Sequence, residues 1–287
     1  MKEIEIYSPA KISLFYNVTG YNEEKQKYLI KSYNQTIDMY NIINIYERKK
    51  LFDGIRVIID DNILNDLNNS AYIAASLFFK YTGINPDSFF IKIKKGIPNG
   101  YGFGGDESNA ASILVGLNEY YNTNFSQDEL MFLASNIGYD VPYFINGGYS
   151  KIIGTGKKVI PIDENYYNHF VVVIPNFCND EKEMFNKIDS EHFNKMKYLN
   201  NNLYNDFNFV MSEELMKLRY FLNNYPYLNH SLNGCGSSYF IALNKMSDSI
   251  QYISDIRKNF PNFKVRNYKK VKGRKLMKIS KNYLYDR

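Results

Sequence analysis

Residues 97–114 of the chain read IPNGYGFGGDESNAASIL, a glycine-rich turn that runs directly into a segment with helical spacing of apolar residues. Five glycines lie in or beside the turn: Gly96, Gly100, Gly102, Gly104 and Gly105. Without side chains there, backbone N–H groups can approach a ligand closely. The helix that follows places unpaired N–H groups at the turn, which favours an anion. The stretch predicts a phosphate-binding loop, although a tight strand-to-helix connection that binds nothing would also fit.

The composition indicates a folded protein that handles a small molecule. The chain has 287 residues, of which 45% are hydrophobic, enough for one two-lobed domain or two modest domains. Its net charge of +5 is compatible with an anionic substrate but is too small to indicate nucleic acid binding. We therefore expect a small-molecule substrate and no nucleic acid partner.

Cysteine and histidine usage predicts neither a disulfide nor a metal site held by the protein alone. Cys178 and Cys235 lie far apart in the sequence, which fits a reducing compartment. The three histidines show no metal-ligand spacing among themselves or with the cysteines. The N-terminal residues resemble no signal or transit peptide, and the apolar run at 170–174 is too short to span a membrane. We expect a cytoplasmic protein with no membrane partner.

The first hundred residues are predicted to be rich in strands, with one helix. Alternating patterns predict strands at 2–7, 10–18, within 28–46, and at 55–59 and 89–95, with a helix at about 70–81. Ser8 and Pro9 predict a break between the first two strands. Lys11 lies in an otherwise apolar stretch, and the residues alone favour an edge-strand lysine that reaches water.

Further helices are predicted after the glycine-rich turn. One covers about 106–121, and the pair Ser126 and Glu129 forms a capping box that starts another through Asn136. Asp140 is typical of a turn or cap residue, and Pro142 favours an extended start for the segment after it. The sequence GGYSKIIGTGKK then predicts a hairpin.

The remainder of the chain is predicted to alternate strands and helices. Strands are predicted at 170–175 and 239–243, helices at 182–194, 206–224 and 246–260, and a small-residue turn at 233–238. The helix at 206–224 is predicted to turn Phe209, Met216, Leu218, Phe221 and Leu222 towards the core. Residues 264–279 alternate basic and apolar side chains in two short strands. This basic stripe is typical of a solvated sheet face rather than of a nucleic acid site.

Four stretches together resemble the sequence pattern of the GHMP small-molecule kinases. They are Ser8–Leu14 (SPAKISL), the loop 98–111, Gly138–Phe144 (GYDVPYF) and Asn233–Ser238 (NGCGSS). They occur in the family order and span nearly the whole chain, and the G-x-D-V-P element discriminates best. The resemblance implies the two-lobed α+β GHMP kinase fold, with an ATP-binding lobe at 1–158 and a C-terminal lobe at 159–287.

The resemblance also implies an activity. Within that family, the chain resembles an ATP-dependent kinase that uses Mg²⁺ and acts on the 2-hydroxyl of a cytidine diphosphate-linked methylerythritol in non-mevalonate isoprenoid biosynthesis, and a monomer or homodimer is expected. Asp140 would take the proton of the substrate hydroxyl, and Lys11 would keep that carboxylate ionised. The resemblance implies that ATP is bound at Pro98, Gly100, Gly102, Gly104, Gly105, Ser108 and Asn109.

Three positions carry the predicted substrate contacts. Tyr28 and Phe185 align with the two aromatic residues that sandwich the cytosine in the family, although ordinary core aromatics would fit them too. Ser13 stands where the family has asparagine near the substrate. Leu29 replaces the histidine that reads the cytosine edge, and Leu29 cannot form hydrogen bonds to a base. This leaves a GHMP kinase for another hydroxylated substrate as an alternative.

The loop itself departs from the family at two positions. Asp106 and Glu107 replace a glycine and a serine. These carboxylates could help to hold Mg²⁺, or they could satisfy the helix N-terminus themselves and repel phosphate. The second case leaves open a catalytically impaired paralogue that acts as a binding protein.

Overall fold

The structure is a computed structural model in which eight stretches of the chain are described. They are residues 2–24, 26–49, 51–52, 54–64, 67–163, 166–188, 203–271 and 278–280. The predicted helix at 182–194 and the second of the two basic strands lie partly outside these residues. Within the described part of the chain, no helix is long and apolar enough to cross a membrane.

Two sheets form the framework, and the first contains nine strands among the described residues. These are β1 (Glu3–Asn22), β2 (Lys27–Arg48), β3 (Gly54–Ile59), β4 (Asn62–Leu64), β5 (Ser88–Lys94), β6 (Tyr149–Gly154), β7 (Lys158–Pro161), β9 (Tyr204–Asn205) and β13 (Lys278–Ser280). The main path is β13-β1-β2-β5-β3-β4; β6 pairs with β2 and β7, and β9 pairs with β1.

The second sheet has four strands in the order β10-β11-β8-β12 among the described residues. They are β8 (His169–Ile174), β10 (Asn229–Leu232), β11 (Tyr239–Leu243) and β12 (Lys264–Lys269). All of its pairings are antiparallel. The proposed lobe division between residues 158 and 159 stays a prediction.

Seven helices are described: α1 (Ser70–Thr82), α2 (Gly105–Tyr121), α3 (Gln127–Ser135), α4 (Val141–Asn146), α5 (Glu181–Asn186), α6 (Glu213–Leu222) and α7 (Ser249–Asn259). The capping box that starts α3 is confirmed, because Ser126 and Glu129 make both of its hydrogen bonds. Gly104 lies at the N-cap of α2 with a φ of 67°, and no side chain caps that helix. The glycine-rich turn therefore ends at a helix N-terminus, as predicted.

Three local predictions are wrong. The predicted break at Ser8 and Pro9 is absent: β1 continues through both residues, with a register shift against β2 between Pro9 and Ala10. Such a bulge tolerates proline, which cannot donate a ladder hydrogen bond. Pro142 lies in the first turn of α4 rather than in extended backbone, because the first helical N–H groups need no intrahelical partner.

The third error concerns the predicted helix at 206–224. It is divided into a 3₁₀ turn (Asp206–Phe209) and α6. Phe209 and Met216, predicted in the core, are 60% and 37% exposed, whereas Leu215 is fully buried beside Leu218 and Leu222. The break shifts the register of the helix, so a different set of side chains faces inward.

The core consists of two clusters that meet at β8. Val171 and Val173 on one face of β8 belong to the larger cluster, which also contains the inner faces of β1, β2, α1 and α2. Phe170 and Val172 on the other face belong to the smaller cluster, with Ile12 of β1. Because β8 is buried on both faces, its sequence is a continuous apolar run rather than an alternation.

Candidate active site

One buried asparagine fixes the start of the glycine-rich turn. Asn41 on β2 accepts hydrogen bonds at Oδ1 from the backbone N–H groups of Gly96 and Ile97, both at 2.9 Å. Its Nδ2 donates to Asn109 Oδ1 on α2 at 3.0 Å. The side chain of Asn41 therefore joins both ends of the turn to the first sheet.

The turn packs backbone to backbone against the small-residue turn at 233–238. Gly102 has a φ of 82°, and a Cβ there would collide with the carbonyl oxygen of Asn233. A Cβ at Gly236 would collide with the backbone of Tyr101 and Gly102. The Ser238 hydroxyl also donates to the Tyr101 carbonyl oxygen at 2.6 Å. Glycine is needed in both turns because any side chain would separate them.

Lys11 and Asp140 meet at this junction. The Lys11 Nζ lies 3.1 Å from Asp140 Oδ2, although the two residues are far apart in sequence. The Lys11 backbone N–H donates to the Phe103 carbonyl oxygen at 2.9 Å, which ties β1 to the glycine-rich turn. The Lys11 ammonium also donates to Ser13 Oγ at 3.3 Å. Lys11 is therefore not the solvated edge-strand lysine that its local sequence favoured, since only 4% of it is exposed.

The charges around Lys11 keep it protonated. Burial alone would lower the pKa of the Lys11 ammonium, but attraction to the Asp140 carboxylate, aided by Glu107, raises that pKa above its usual value. Burial also raises the pKa of Glu107 to about 7, and the nearby Asp140 carboxylate adds to the shift. The Glu107 backbone N–H bonds its own carboxylate, which acts in the opposite direction.

Lys11, Asp140 and the two glycine-containing turns line a cavity of about 340 Å³. Among the described residues that line it are five carboxylates and one ammonium, that of Lys11. The carboxylates are Asp106, Glu107, Asp140, Asp180 and Glu181. A polyanion that enters this cavity needs accompanying cations, because like charges at contact distance repel by several kcal/mol at an intermediate dielectric constant.

The predicted ATP-binding residues divide into two groups. Five line the cavity: Pro98, Gly100, Gly102, Gly104 and Gly105. Ser108 and Asn109 do not; both are buried in α2, where Ser108 Oγ accepts from Ser8 Oγ at 2.7 Å and Asn109 pairs with Asn41. Their side chains are engaged within the protein, so a nucleotide would meet the turn rather than these two side chains.

Two of the three predicted substrate residues come together, although none of the three lines this cavity. The rings of Tyr28 and Phe185 stack on each other, and the Tyr28 hydroxyl donates to the Phe185 carbonyl oxygen at 3.4 Å. Ser13 is buried, and its backbone N–H donates to Asn233 Oδ1 at 2.9 Å. Ser13 thus contacts Lys11 and the turn at 233–238, and it does not line the cavity.

Although five carboxylates line the cavity, no three metal-ligating side chains of the described residues are placed so that they could hold one metal ion. A Mg²⁺ ion in a kinase needs fewer, because one or two carboxylates and the phosphates of the nucleotide usually hold it. The carboxylates at the N-terminus of α2 are oxygen donors of the type that Mg²⁺ prefers. The donor set therefore fits an ion that arrives with a nucleotide.

One part of the cavity wall was missed by the sequence analysis. Asn179 and Asp180 line it together with Glu181. The Asp180 side chain caps α5 by accepting from the Glu183 backbone N–H at 2.9 Å. The helix predicted from 182 comes within one residue of the start of α5, but nothing local indicates that this segment lines the same cavity as Lys11.

Comparisons with known proteins agree with this geometry. Residues 69–148 match the family model described as the GHMP kinases N terminal domain. A Clostridium botulinum (strain Hall) protein named 4-diphosphocytidyl-2-C-methyl-D-erythritol kinase is 36% identical over 186 residues, 63% of this chain and 64% of that protein. The match thus spans less than two thirds of that relative. A Persephonella marina protein of the same name is 28% identical over 87% of this chain and 94% of its own length.

Solved structures show the same fold. A crystal structure of 4-(cytidine 5'-diphospho)-2C-methyl-D-erythritol kinase has a TM-score of 0.76 at 20% identity, covering 93% of this chain and 98% of that one. Methanococcus jannaschii mevalonate kinase has a TM-score of 0.65 at 18% identity, with the same coverage. The chain has the α+β fold that the sequence predicted, which these solved structures share, and its residues 69–148 are similar to the N-terminal domain of the GHMP kinases.

Proposed function

We propose that the chain is an ATP-dependent kinase that phosphorylates the 2-hydroxyl of 4-diphosphocytidyl-2-C-methyl-D-erythritol. The names of the two relatives support this substrate. The observation that carries the proposal is the contact of 3.1 Å between Lys11 and Asp140 in the wall of a glycine-lined cavity. Phosphoryl transfer needs chiefly positioning and charge compensation, and this pair supplies an oriented carboxylate and a fixed cation.

In this proposal Asp140 accepts the proton of the attacking hydroxyl. Its side chain is about one quarter exposed, so a substrate can reach it, whereas Lys11 is almost fully buried behind it. Lys11 holds the carboxylate in place through their ion pair. Because Asp140 lies at the N-cap of α4, its backbone is fixed by the helix that follows.

The glycine-rich turn would bind the phosphates of ATP. Gly104 and Gly105 place the N-terminus of α2 at the cavity, and the first N–H groups of a helix have no intrahelical partner. Asp106 and Glu107 are the carboxylates that would hold Mg²⁺. When bound, this ion neutralises the phosphates.

The direct test is turnover by purified protein. With Mg-ATP and 4-diphosphocytidyl-2-C-methyl-D-erythritol, we expect ADP and a monophosphorylated product, with the phosphate on the 2-hydroxyl as assigned by ³¹P NMR. The absence of ADP formation above the ATP-only background would contradict the proposal and favour a catalytically impaired paralogue.

A second candidate is a GHMP kinase for another hydroxylated substrate. Leu29 favours it, because this side chain cannot read a base edge and the rings of Tyr28 and Phe185 contact each other directly. Small polyols tested beside the cytidine-bearing compound separate the two candidates. A higher kcat/KM for a polyol would replace the substrate proposed above while retaining the reaction.

A further inference from the structure

A row of three side chains on β12, two of them basic, lines a groove, and the two basic residues are exposed there. Successive side chains of a strand point to opposite faces, so Lys264, Arg266 and Tyr268 share one face, and Val265 is buried on the other. All three residues of the row line a second cavity of about 650 Å³, nearly twice the volume of the first. The first part of the basic stripe, at 264–268, therefore contributes to the wall of a concave site.

The opposite wall is the beginning of the glycine-rich turn. Lys95, Pro98 and Tyr101 line the groove there. This wall is fixed from behind, because Ile97 N–H bonds Asn41 Oδ1 and the Tyr101 carbonyl oxygen accepts from Ser238 Oγ. The rings of Tyr101 and Tyr268 pack against the smaller core cluster, which closes the floor. A ligand would thus meet a preformed site.

The charge of this groove is opposite to that of the first cavity. Among the described residues that line it are three cations, Lys95, Lys264 and Arg266, and no carboxylate. The carboxylates nearby bind backbone N–H groups: Asp60 accepts from Lys95 and Asp38 accepts from Lys269. Three cations around one concave surface repel one another, and an anion between them relieves that repulsion.

We propose that this groove binds a phosphorylated small molecule. Phosphoryl oxygens would accept hydrogen bonds from Lys264 and Arg266 on one wall and from Lys95 on the other, and arginine suits phosphate because its planar fork can donate two parallel bonds. The apolar part of the ligand would lie on Ile174 and Tyr268. The site adjoins the proposed active site, and the proposal does not depend on the kinase activity.

The groove and the first cavity share one wall. Pro98 and Asn99 line both. A molecule in the groove therefore contacts the back of the turn whose front lines the first cavity. By linkage, any effect of the groove ligand on nucleotide affinity must be matched by an equal effect of the nucleotide on the groove ligand.

The test is isothermal titration calorimetry with inorganic pyrophosphate as the probe. The buffer contains a chelator and no divalent metal. Metal-free conditions select the groove, because the five carboxylates of the first cavity repel the probe. The proteins compared are the full chain, the double variant Lys264→Ala with Arg266→Ala, and the control Lys269→Ala. Lys269 lies on the same strand but does not line the groove.

We expect the unmodified chain to bind pyrophosphate and the double variant to bind it at least about tenfold more weakly, because each removed residue contributes a charge-assisted hydrogen bond. The Lys269→Ala variant should bind within about twofold of the unmodified chain, since exposed charges outside a site act weakly. Equal melting temperatures of the three proteins would show that the fold is retained. Equal affinities for all three proteins, or no saturable binding to the unmodified chain at millimolar pyrophosphate, would overturn the proposal.

Discussion

The ring of Tyr28 lies on the ring of Phe185, with centroids 4.7 Å apart and planes inclined by 24°. The two residues come from β2 and α5, so this contact joins the first sheet to the segment that carries Asp180 and Glu181. A nucleobase can be sandwiched between the rings only after they separate. Binding of a base between them would therefore require the two rings to move apart.

If these rings bind a base, removing either one should weaken binding of the cytidine-bearing substrate and leave nucleotide binding unchanged. Base–aromatic stacking contributes about 1–3 kcal/mol per base, so Tyr28→Ala or Phe185→Ala should raise the Kd of the cytidine-bearing compound by about five- to a hundredfold. Titration calorimetry with that compound measures the change. Tyr21→Ala is the matched control, because Tyr21 contacts Tyr28 edge-on but is 44% exposed. Unchanged Kd values in both ring variants would remove the base site.

Replacement of the proposed base should affect the rate far more than binding. The Asp140→Asn variant keeps a hydrogen-bond acceptor near Lys11 but cannot take a proton at neutral pH. We expect kcat to fall by about 10²–10⁴-fold with a smaller change in KM, as measured by ADP release.

Asp180→Asn provides a control for charge in the same cavity. Asp180 lines the cavity and caps α5, but it makes no ion pair with Lys11 in the described structure. Its variant removes one negative charge without removing the proposed base, so kcat should change much less. A loss of kcat equal to that of Asp140→Asn would mean that the charge of the cavity, not a specific base, controls the rate.

Local features of the fold were predictable because their causes are local. The capping box of Ser126 and Glu129 and the apolar face of α1 need only residues a few positions apart. The continuity of β1 through Pro9 was not predictable in this way, because the bulge depends on the register of β1 against β2. The exposure of Phe209 likewise depends on where the chain breaks before α6.

The candidate site shows the same division. The glycine pattern predicted a ligand loop at a helix N-terminus, but nothing near Lys11 in sequence distinguishes it from a solvated lysine. Its burial follows from contacts with Asp140 and the Phe103 carbonyl oxygen, both distant in the chain. Only the family resemblance brought Lys11 and Asp140 together before the structure did. The roles proposed for them stay predictions.

The raised pKa of Glu107 predicts how stability depends on pH. Because burial raises this pKa from 4.5 to about 7 in the folded state, the folded protein binds the proton more tightly than the unfolded chain does. The resulting stabilisation is complete below pH 4.5 and is lost as the pH rises through 7. Glu107→Gln cannot ionise, so its free energy of unfolding should exceed that of the unmodified chain by about 1–3 kcal/mol at pH 8. Urea denaturation across a pH series measures this difference.

Glu129→Gln tests whether that pH effect is specific. Hydrogen bonds from Ser126 lower the pKa of the exposed Glu129, so this carboxylate titrates below the window in which Glu107 changes charge. Glu129→Gln should lower the free energy of unfolding, because a helix-capping interaction is lost. It should not change how that free energy varies with pH between 5 and 8. If Glu107→Gln also leaves that slope unchanged, Glu107 is ionised throughout this range.

The contact between the two glycine turns can be tested by a single methyl group. Gly102→Ala would force an alanine to a φ of 82° and press its Cβ against the Asn233 carbonyl oxygen. Gly83→Ala is the matched control, because Gly83 has a φ of 70° but no atom of the described residues lies within 4 Å of the added methyl. Backbone strain alone should lower the free energy of unfolding of the control by about 1 kcal/mol. Gly102→Ala should lower it by about 1–3 kcal/mol more, because backbone atoms must shift. Urea denaturation of both variants measures the difference. An equal loss would mean that the turns at 97–105 and 233–238 separate at little cost, so that the second turn does not hold the first in place.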